Sequence, residues 1–202
     1  MVNFLSIIKT ERNEEMKKDY ESYKWFFTSS GKLVIGGKSA EQNEEIMENA
    51  DNDDVIMHTS SPGSPFCIIK NPNENDIKEA AIFTACFSHE WKKGKKKTDV
   101  HIFKGEQVKK DNGMKIGTFG VLGSIKRKTV ELKLVLDFQK GKLRALPPST
   151  AKKKILTLIP GKLDKISAAN KILEIIKNKY NYPITKDEVM SAIPSDNIAI
   201  KK

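Results

Sequence analysis

Cysteine is scarce in this sequence, and the two residues present, Cys67 and Cys86, lie in separate apolar runs without CxxC spacing. A disulfide framework is therefore not expected, and a reducing compartment suits the chain better. The histidines His58, His89 and His101 show no metal-ligand spacing with these cysteines. We expect neither a metal site nor another cofactor.

Long apolar runs are also missing. No window approaches the roughly 18 apolar residues that a membrane span requires. Met1–Thr10 is too short and lacks the basic start of a secretory signal. We therefore expect a cytoplasmic protein with no membrane partner. Arginine is rare as well, which argues against extensive base-specific contacts because bidentate base readout favours arginine.

Lysine, in contrast, is abundant, and it is concentrated in the second half. Residues 1–91 contain 9 Lys/Arg and 16 Asp/Glu, whereas residues 92–202 contain 27 and 10, within a net charge of +10. Such separation is expected of a protein with a dedicated anion-binding side. Lysines that only solubilise a domain, or that reflect codon bias, are the alternative explanation.

Basic segments within residues 92–154 are the candidate phosphate contacts, because lysine acts on phosphate as a point charge. They are Lys92, Lys93, Lys95, Lys96 and Lys97; Lys126, Arg127 and Lys128; and Lys152, Lys153 and Lys154. Binding should depend on shape and charge, and should weaken steeply with salt. The first segment also has a structural interpretation, since cations stabilise the C-terminus of a helix.

The hydrophobic pattern predicts an α+β fold: a mainly antiparallel sheet packed with helices, followed by a small basic C-terminal α/β unit. Domain bounds are expected at 1–22 (a leader helix or extension), 23–140 and 141–202. In the first half, the predicted elements are a hairpin around 29–31, a helix from Ser39 with Gln42 in its capping box, and a strand pair 54–58 and 65–70. A helix capped by Asp76 and Glu79 follows and runs to about Trp91, and one strand is predicted over 130–138. The C-terminal part is predicted to hold a linker over 141–150, a basic strand 152–159, and helices 164–179 and 185–192 capped by Asp164 and Thr185.

Two local motifs have alternative interpretations. Gly36, Gly37, Lys38 and Ser39 lack the first glycine of a Walker A loop, so this strand-to-helix corner is either an anion site or an ordinary turn. His58 precedes a serine-rich turn, but no acid is placed to orient it and no GxSxG elbow exists. We expect no catalytic residues, although an RNA-modifying or phosphate-transferring enzyme centred on His58 stays as a rival.

Several segments, in order, resemble the RNA-binding domain of the NFACT family of ribosome-associated quality-control factors. YKWFFTSSGKLVIGGKSAEQNEEI resembles its opening, EAAIFTACFSHEW its Ala-rich helix, and GMKIGTFGVLGSIKRK its Gly-rich basic hairpin. Together the matches cover residues 23–128, and the tail is similar to archaeal-type members. The positions that match the family motif are Gly36, Gly37, Lys38, Asn43, Glu44, His58, Gly63 and Ser64, with Lys126, Arg127 and Lys128 at the end of the hairpin. The resemblance implies that these residues bind RNA, and we expect the Gly36–Asn43 corner and His58 to form the more specific pocket.

This resemblance implies an RNA-binding module that contacts tRNA or large-subunit ribosomal RNA on the ribosome in quality control of stalled translation. An acidic residue near Ser60 and a second histidine or small polar residue near Pro65, both common in the family, are absent. The sequence also contains no NFACT N-terminal domain, which a separate chain could supply, so tail synthesis is not expected of this chain by itself. The second rival is an adaptor that binds duplex DNA or an acidic protein.

Overall fold

The computed structural model describes residues 19–180 and 182–201. Most of the predicted leader, residues 1–22, therefore lies outside the described residues, and only a 3-10 turn at Tyr20–Ser22 belongs to both. Within the described part, helices combine with antiparallel sheets, which confirms the α+β prediction.

The first sheet has six strands, all paired antiparallel. Within the part of the chain that the structure describes, the first eight strands are β1 (Lys24–Phe27), β2 (Leu33–Gly36), β3 (Val55–Thr59), β4 (Cys67–Ile69), β5 (Lys97–Lys104), β6 (Val108–Lys109), β7 (Gly120–Val121) and β8 (Lys126–Glu131). The spatial order in the large sheet is β1-β2-β4-β3-β5-β8, while β6 and β7 form a small separate ladder. Strands β1 and β8 are therefore the two outer strands of the large sheet.

The second sheet has four strands and belongs to the C-terminal part of the chain. They are β9 (Leu134–Gln139), β10 (Lys142–Leu146), β11 (Leu156–Leu163) and β12 (Ile198–Lys201), in the antiparallel order β10-β9-β11-β12. The helices of the described residues are α1 (Ala40–Glu48), α2 (Glu74–Cys86), α3 (His89–Lys92), α4 (Lys165–Tyr180) and α5 (Lys186–Ala192). Helices α4 and α5 pack on this second sheet.

Helix α2 lies in the main hydrophobic core, between residues of both sheets. Its Ala80, Ala81 and Ala85 are buried, and such short side chains allow a helix to approach its neighbours closely. Two buried carboxylates add polar contacts: Asp76 accepts from Ser30 Oγ at 2.7 Å, and Glu79 accepts from the Ser29 N–H at 2.8 Å. The helix therefore holds the β1–β2 turn as well as the core.

The outer edge of β1 is bonded by side chains of the second sheet. Gln139 accepts from the Phe27 N–H at 2.8 Å and donates to the Phe27 carbonyl at 2.7 Å. Arg144 donates from Nε and Nη2 to the Trp25 carbonyl, at 3.1 and 2.8 Å, and its guanidinium lies 4.4 Å from the Trp25 ring centroid. Burial lowers the pKa of Arg144 to about 10, which still leaves it charged at neutral pH.

Several predicted elements are confirmed. The hairpin is β1–β2, and the second strand pair is β3–β4. Ser39 caps α1 by accepting from the Gln42 N–H, and Thr185 forms a full capping box with Glu188 on α5. The aromatic residues Trp25, Phe26 and Trp91 are buried.

Helix α2 begins earlier and ends sooner than predicted. Its cap is Asn73, which forms a reciprocal capping box with Asp76, so Asp76 is the third helical residue and not the cap. The helix ends at Cys86 because Ser88 caps the separate short helix α3, accepting from the Glu90 N–H. The predicted continuous helix to Trp91 was therefore wrong.

The predictions over 130–159 were also wrong in part. The single strand is divided, because the chain leaves the first sheet at Leu132, whose N–H donates to Lys96, and enters β9 at Leu134. The expected linker is strand β10, joined to β9 by Lys140 and Gly141, whose φ values of 51° and 74° suit a tight hairpin turn. The basic strand begins only at Leu156.

We predict that Arg144→Ala lowers the free energy of unfolding by about 2–4 kcal/mol, because it removes charge-assisted hydrogen bonds and leaves a buried carbonyl of Trp25 without a donor. The measurement is urea unfolding followed by circular dichroism. Lys142→Ala on the same strand removes only an exposed pair with Glu21 and should cost less than about 1 kcal/mol. Equal midpoints for the two variants would contradict the prediction.

Candidate nucleic-acid interface

Strand β8 presents a run of three cations at the open edge of the first sheet. In its register with β5, Lys128 is opposite Val100 and Arg127 is opposite His101. Register partners in an antiparallel pair project to the same face, and neighbours along a strand alternate. Lys126 and Lys128 therefore lie on the face that α2 covers, and Arg127 lies on the other, so cations border both sides of the edge.

A groove of about 820 Å³ lies beside this edge on the α2 face. Val55, Ile77 and Ile102 contribute apolar surface to it, while Lys104, Lys126 and Lys128 contribute charge. Glu74 and Glu106 also line it. The groove is thus an apolar floor with mixed charge along its walls, in which cations outnumber carboxylates.

The cations at this end of the sheet have no carboxylate within ion-pair distance among residues 19–180 and 182–201. We call them the basic edge, and its members are Lys96, Lys97, Lys126, Arg127 and Lys128. The pKa of the neighbouring His101 is lowered, first by burial and then by the positive charge of Arg127. The basic edge therefore keeps its charge available for an external anion.

Other lysines of the first basic segment are already paired. Lys93 Nζ lies 2.7 Å from Glu90 Oε1, and Lys95 pairs with the other oxygen of the same carboxylate. These two cations lower the pKa of Glu90 to about 2. Lys92 Nζ lies 3.6 Å from Asp196. Because the Glu90 side chain is only 1% exposed, its two lysines stabilise the end of α3 in the free protein.

The third basic segment, Lys152–Lys154, lies in the turn that precedes β11. Asp137 on β9 accepts from the backbone N–H groups of Lys152 and Lys153 at 2.6 and 2.9 Å, and Lys154 has a φ of 43°. Asp137 therefore fixes the backbone of this turn, whereas the ammonium groups have no ion pair within the described part of the chain. The three predicted segments lie on different elements.

A second cavity brings several of the predicted motif residues together. Its volume is about 650 Å³, and it lies between the α1 N-terminus, the turn before β4 and the start of α4. We call it the lysine cavity, after Lys24, Lys38, Lys92 and Lys165 in its lining. The other predicted residues that line it are Gly37, Asn43, Gly63 and Ser64.

The glycines of the strand-to-helix corner are needed for close packing. A Cβ on Gly37 would lie 2.2 Å from Asn43 Oδ1, and one on Gly36 would lie 2.6 Å from Cys67 Sγ. Asn43 Oδ1 accepts from the Phe66 N–H at 3.0 Å, so the asparagine links α1 to the segment before β4. These motif residues build the wall of the lysine cavity.

Gly63 and Ser64 shape the opposite wall. Gly63 has a φ of 88°, and a Cβ there would lie 2.1 Å from His89 Nδ1, so the histidine ring packs against the bare glycine. The His89 N–H donates to the Gly63 carbonyl at 2.8 Å. Ser64 Oγ accepts from the Thr59 N–H at 3.2 Å and donates to the Pro65 carbonyl at 2.9 Å. This turn places His89 in the cavity.

Glu44 and His58 do not line the lysine cavity. Glu44 accepts from the Gly117 N–H at 2.6 Å and from Lys110 Nζ at 2.8 Å, and these bonds lower the pKa of its carboxyl. His58 Nδ1 lies 2.7 Å from the Thr59 carbonyl, and its ring centroid is 4.4 Å from that of Phe66. Burial lowers the pKa of His58, which favours the neutral ring.

Sequence reasoning missed Lys24, His89 and Lys165. Lys24 interrupts an apolar run between Tyr23 and Trp25, a weak sign that its side chain has a specific place. Lys165 is the first residue of α4, more than a hundred residues from the motif, and nothing in a single sequence indicates that the two meet.

Within the described residues, no group of His, Cys, Asp and Glu side chains could hold a metal ion. Over the same residues, every helix is too short or too polar to span a bilayer.

Comparison with known families covers the part of the chain that contains the motif residues and ends before β8. The model of the NFACT protein RNA binding domain matches residues 22–123, which is half of the chain. The chain belongs to the NFACT RNA-binding domain family. The resemblance stated from the sequence motifs is thereby confirmed, and the NFACT match includes the wall residues of the lysine cavity from Gly37 to Ser64, although Gly36 itself does not line the cavity.

Three relatives are similar to this chain over different lengths. The archaeal Rqc2 homolog aRqcH of Methanocaldococcus jannaschii is 30% identical over 92% of this chain and 30% of its own length. The ribosome quality control complex subunit NEMF of Homo sapiens is 33% identical over 36% of this chain and 7% of its own, and ribosome quality control complex subunit 2 of Schizosaccharomyces pombe is 38% identical over 36% and 8%. The chain thus spans less than a third of each of these proteins.

We predict that Gly37→Ala lowers the free energy of unfolding by about 1–3 kcal/mol, because the added methyl displaces Asn43 from its bond to Phe66. Gly120→Ala is the matched control, since its Cβ meets only ordinary contacts at 3.7 Å or more, and it should change stability by less than about 0.5 kcal/mol. Thermal and urea unfolding measure both. A Gly37→Ala protein as stable as the control would show that the close approach is not needed.

Proposed function

We propose that this chain binds structured RNA, either tRNA or large-subunit ribosomal RNA, in quality control of stalled translation. The observation that supports this most directly is the basic edge, whose five cations lack carboxylate partners among the described residues. Membership of the NFACT RNA-binding domain family and the ribosome quality-control names of the relatives support the same assignment.

The arrangement of the basic edge favours backbone recognition. Cations that neutralise phosphates release condensed counterions, which supplies affinity without reading sequence. Four of the five members are lysines, which bind phosphate as point charges, and Arg127 is the one residue of the edge suited to bidentate contacts. Lys126 and Lys128 lie on one face of the sheet and Arg127 lies on the other. The strand can therefore contact the phosphates of two RNA backbones, or the phosphates of a single backbone from two sides.

The rival functions receive less support from the geometry. A catalytic His58 would need access to substrate and a neighbouring group with which to exchange protons. Its Nδ1 contact with the Thr59 carbonyl orients the ring, but the half-buried ring packs on Phe66, and no carboxylate lies within ion-pair distance of it among residues 19–180 and 182–201. An adaptor for duplex DNA or an acidic protein would use the same basic edge, so only competition can separate it from an RNA-binding protein. We propose binding without turnover.

We predict that the triple variant Lys126→Gln, Arg127→Gln, Lys128→Gln weakens tRNA binding and flattens its salt dependence. Removing three phosphate contacts should reduce the slope of log K against log salt by about two to three units. The measurement is fluorescence anisotropy of labelled tRNA over a series of KCl concentrations. Unlabelled tRNA should also compete more strongly than duplex DNA of equal phosphate content or an acidic protein.

The matched control removes the same charge from exposed lysines of α4, as Lys171→Gln, Lys177→Gln, Lys179→Gln. If the basic edge is the interface, this control should keep nearly the wild-type slope. Equal losses of tRNA affinity in the two triple variants would mean that net charge alone governs binding. Stronger competition by duplex DNA or by the acidic protein would favour the adaptor.

We further predict that His58→Ala leaves tRNA affinity within about threefold of the wild type, because the ring is half-buried and its Nδ1 contacts the protein's own backbone. Mass spectrometry of tRNA incubated with wild-type protein should show neither cleavage nor a mass change. A product that forms with the wild type and is lost in His58→Ala would favour the enzyme.

A further inference from the structure

We propose that the lysine cavity binds the phosphate group of a nucleotide, either the phosphorylated end of an RNA or a free mononucleotide. This site is separate from the basic edge. Where the occupant is an RNA end, the inference rests on the proposed RNA-binding function. Where it is a free nucleotide, the inference does not depend on that function.

The lining of the cavity has the composition that a phosphate requires. It contains four lysines, His89, Asn43 and several serines, and within the described part of the chain no carboxylate is among the lining residues. Asn43 uses Oδ1 for the Phe66 N–H, and its amide nitrogen has no hydrogen-bond partner among the described residues. The volume of about 650 Å³ is in the range of small-molecule sites and can hold a mononucleotide.

The ammonium groups are held near one another without full compensation. Lys24 Nζ donates to the Gly37 carbonyl at 3.1 Å, and Lys38 Nζ donates to the Ser22 carbonyl. Neither of these lysines has an ion pair among residues 19–180 and 182–201, and the same is true of Lys165. An oxyanion in the cavity could accept from groups that now meet only neutral oxygens or water.

Mutual repulsion supports this picture. Burial, together with the charges of Lys38 and Lys165, lowers the pKa of Lys24 to about 8, against an opposing effect of Cys67. The pKa of Lys165 is lowered by burial and by Lys92, against the attraction of Asp196. Burying like charges together is unfavourable, and a bound dianion would relieve that cost.

Carboxylates do occur at the rim. Asp196 pairs with Lys92 at 3.6 Å and acts on Lys165, Asp19 acts on Lys38, and the Glu41 carboxyl bonds Ser39 at the start of α1. They leave the ammonium groups of Lys24 and Lys165 without a carboxylate in ion-pair distance among the described residues, so a phosphate that enters the cavity would be placed closest to these two cations.

The test begins with calorimetric titration of adenosine 5′-monophosphate and, separately, of adenosine into the full chain. The monophosphate should bind, whereas adenosine should not. Lys165→Ala and Lys24→Met should each weaken the affinity for the monophosphate by about tenfold or more, as expected for loss of one charge-assisted hydrogen bond. Lys171→Ala, on α4 but outside this cavity, is the matched control and should bind as the wild type does. Circular dichroism verifies that each variant folds.

A second arm identifies the source of the phosphate. Eight-nucleotide RNAs with a 5′-phosphate, with a 3′-phosphate or with neither are compared by anisotropy. Tighter binding of one phosphorylated end, lost in Lys165→Ala, assigns an RNA end; equal binding of all three, together with monophosphate binding, assigns a free nucleotide. The proposal is overturned if the monophosphate does not bind and a phosphate at either end of the RNA leaves its affinity unchanged. It is also overturned if Lys171→Ala weakens monophosphate binding as much as Lys165→Ala does.

The two proposals can fail independently. The triple variant of the basic edge should leave monophosphate binding unchanged, because its residues lie on β8 and not in the lysine cavity. Lys165→Ala should in turn change the salt slope for tRNA by no more than about one unit. If either variant lost both monophosphate binding and the wild-type salt slope for tRNA, the two sites would not be distinct.

Discussion

Strand β1 stands at the outer edge of the first sheet, and its backbone groups would face water if the second sheet were absent. Arg144 and Gln139 donate and accept there instead, so two side chains of one sheet complete the hydrogen bonding of the other. An unpaired backbone group in a buried place costs about as much as a lost hydrogen bond. This junction fixes the relative position of the two sheets, and with it the place of Lys165 opposite Lys24.

The division of roles within the candidate site follows from this arrangement. Residues that match the family motif, such as Gly37, Asn43 and Gly63, are small or internally bonded and give the lysine cavity its walls. The charges come from elements far apart in the chain, Lys24 on β1 and Lys165 on α4. A motif can therefore identify the place of a site while saying little about its electrostatics.

Sequence patterns predicted the elements that have local signals. Ser39 and Thr185 have capping partners three residues away, and the hairpin at 29–31 has a compact turn, so short-range chemistry decides them. The exit from the first sheet at Leu132 has no such signal, because apolar residues continue on both sides. The ion pairs of Lys93 and Lys95 with Glu90 were likewise not predicted from the sequence, since they depend on how the chain turns after α3.

The open side of β8 has a consequence beyond ligand binding. An exposed strand edge is a template onto which a strand of another molecule can add. Three consecutive cations at this edge would repel the same cations of a second copy, which discourages self-association of the free protein. A polyanion that neutralises them also occupies the edge, so the strand is protected from unwanted partners whether it is loaded or empty.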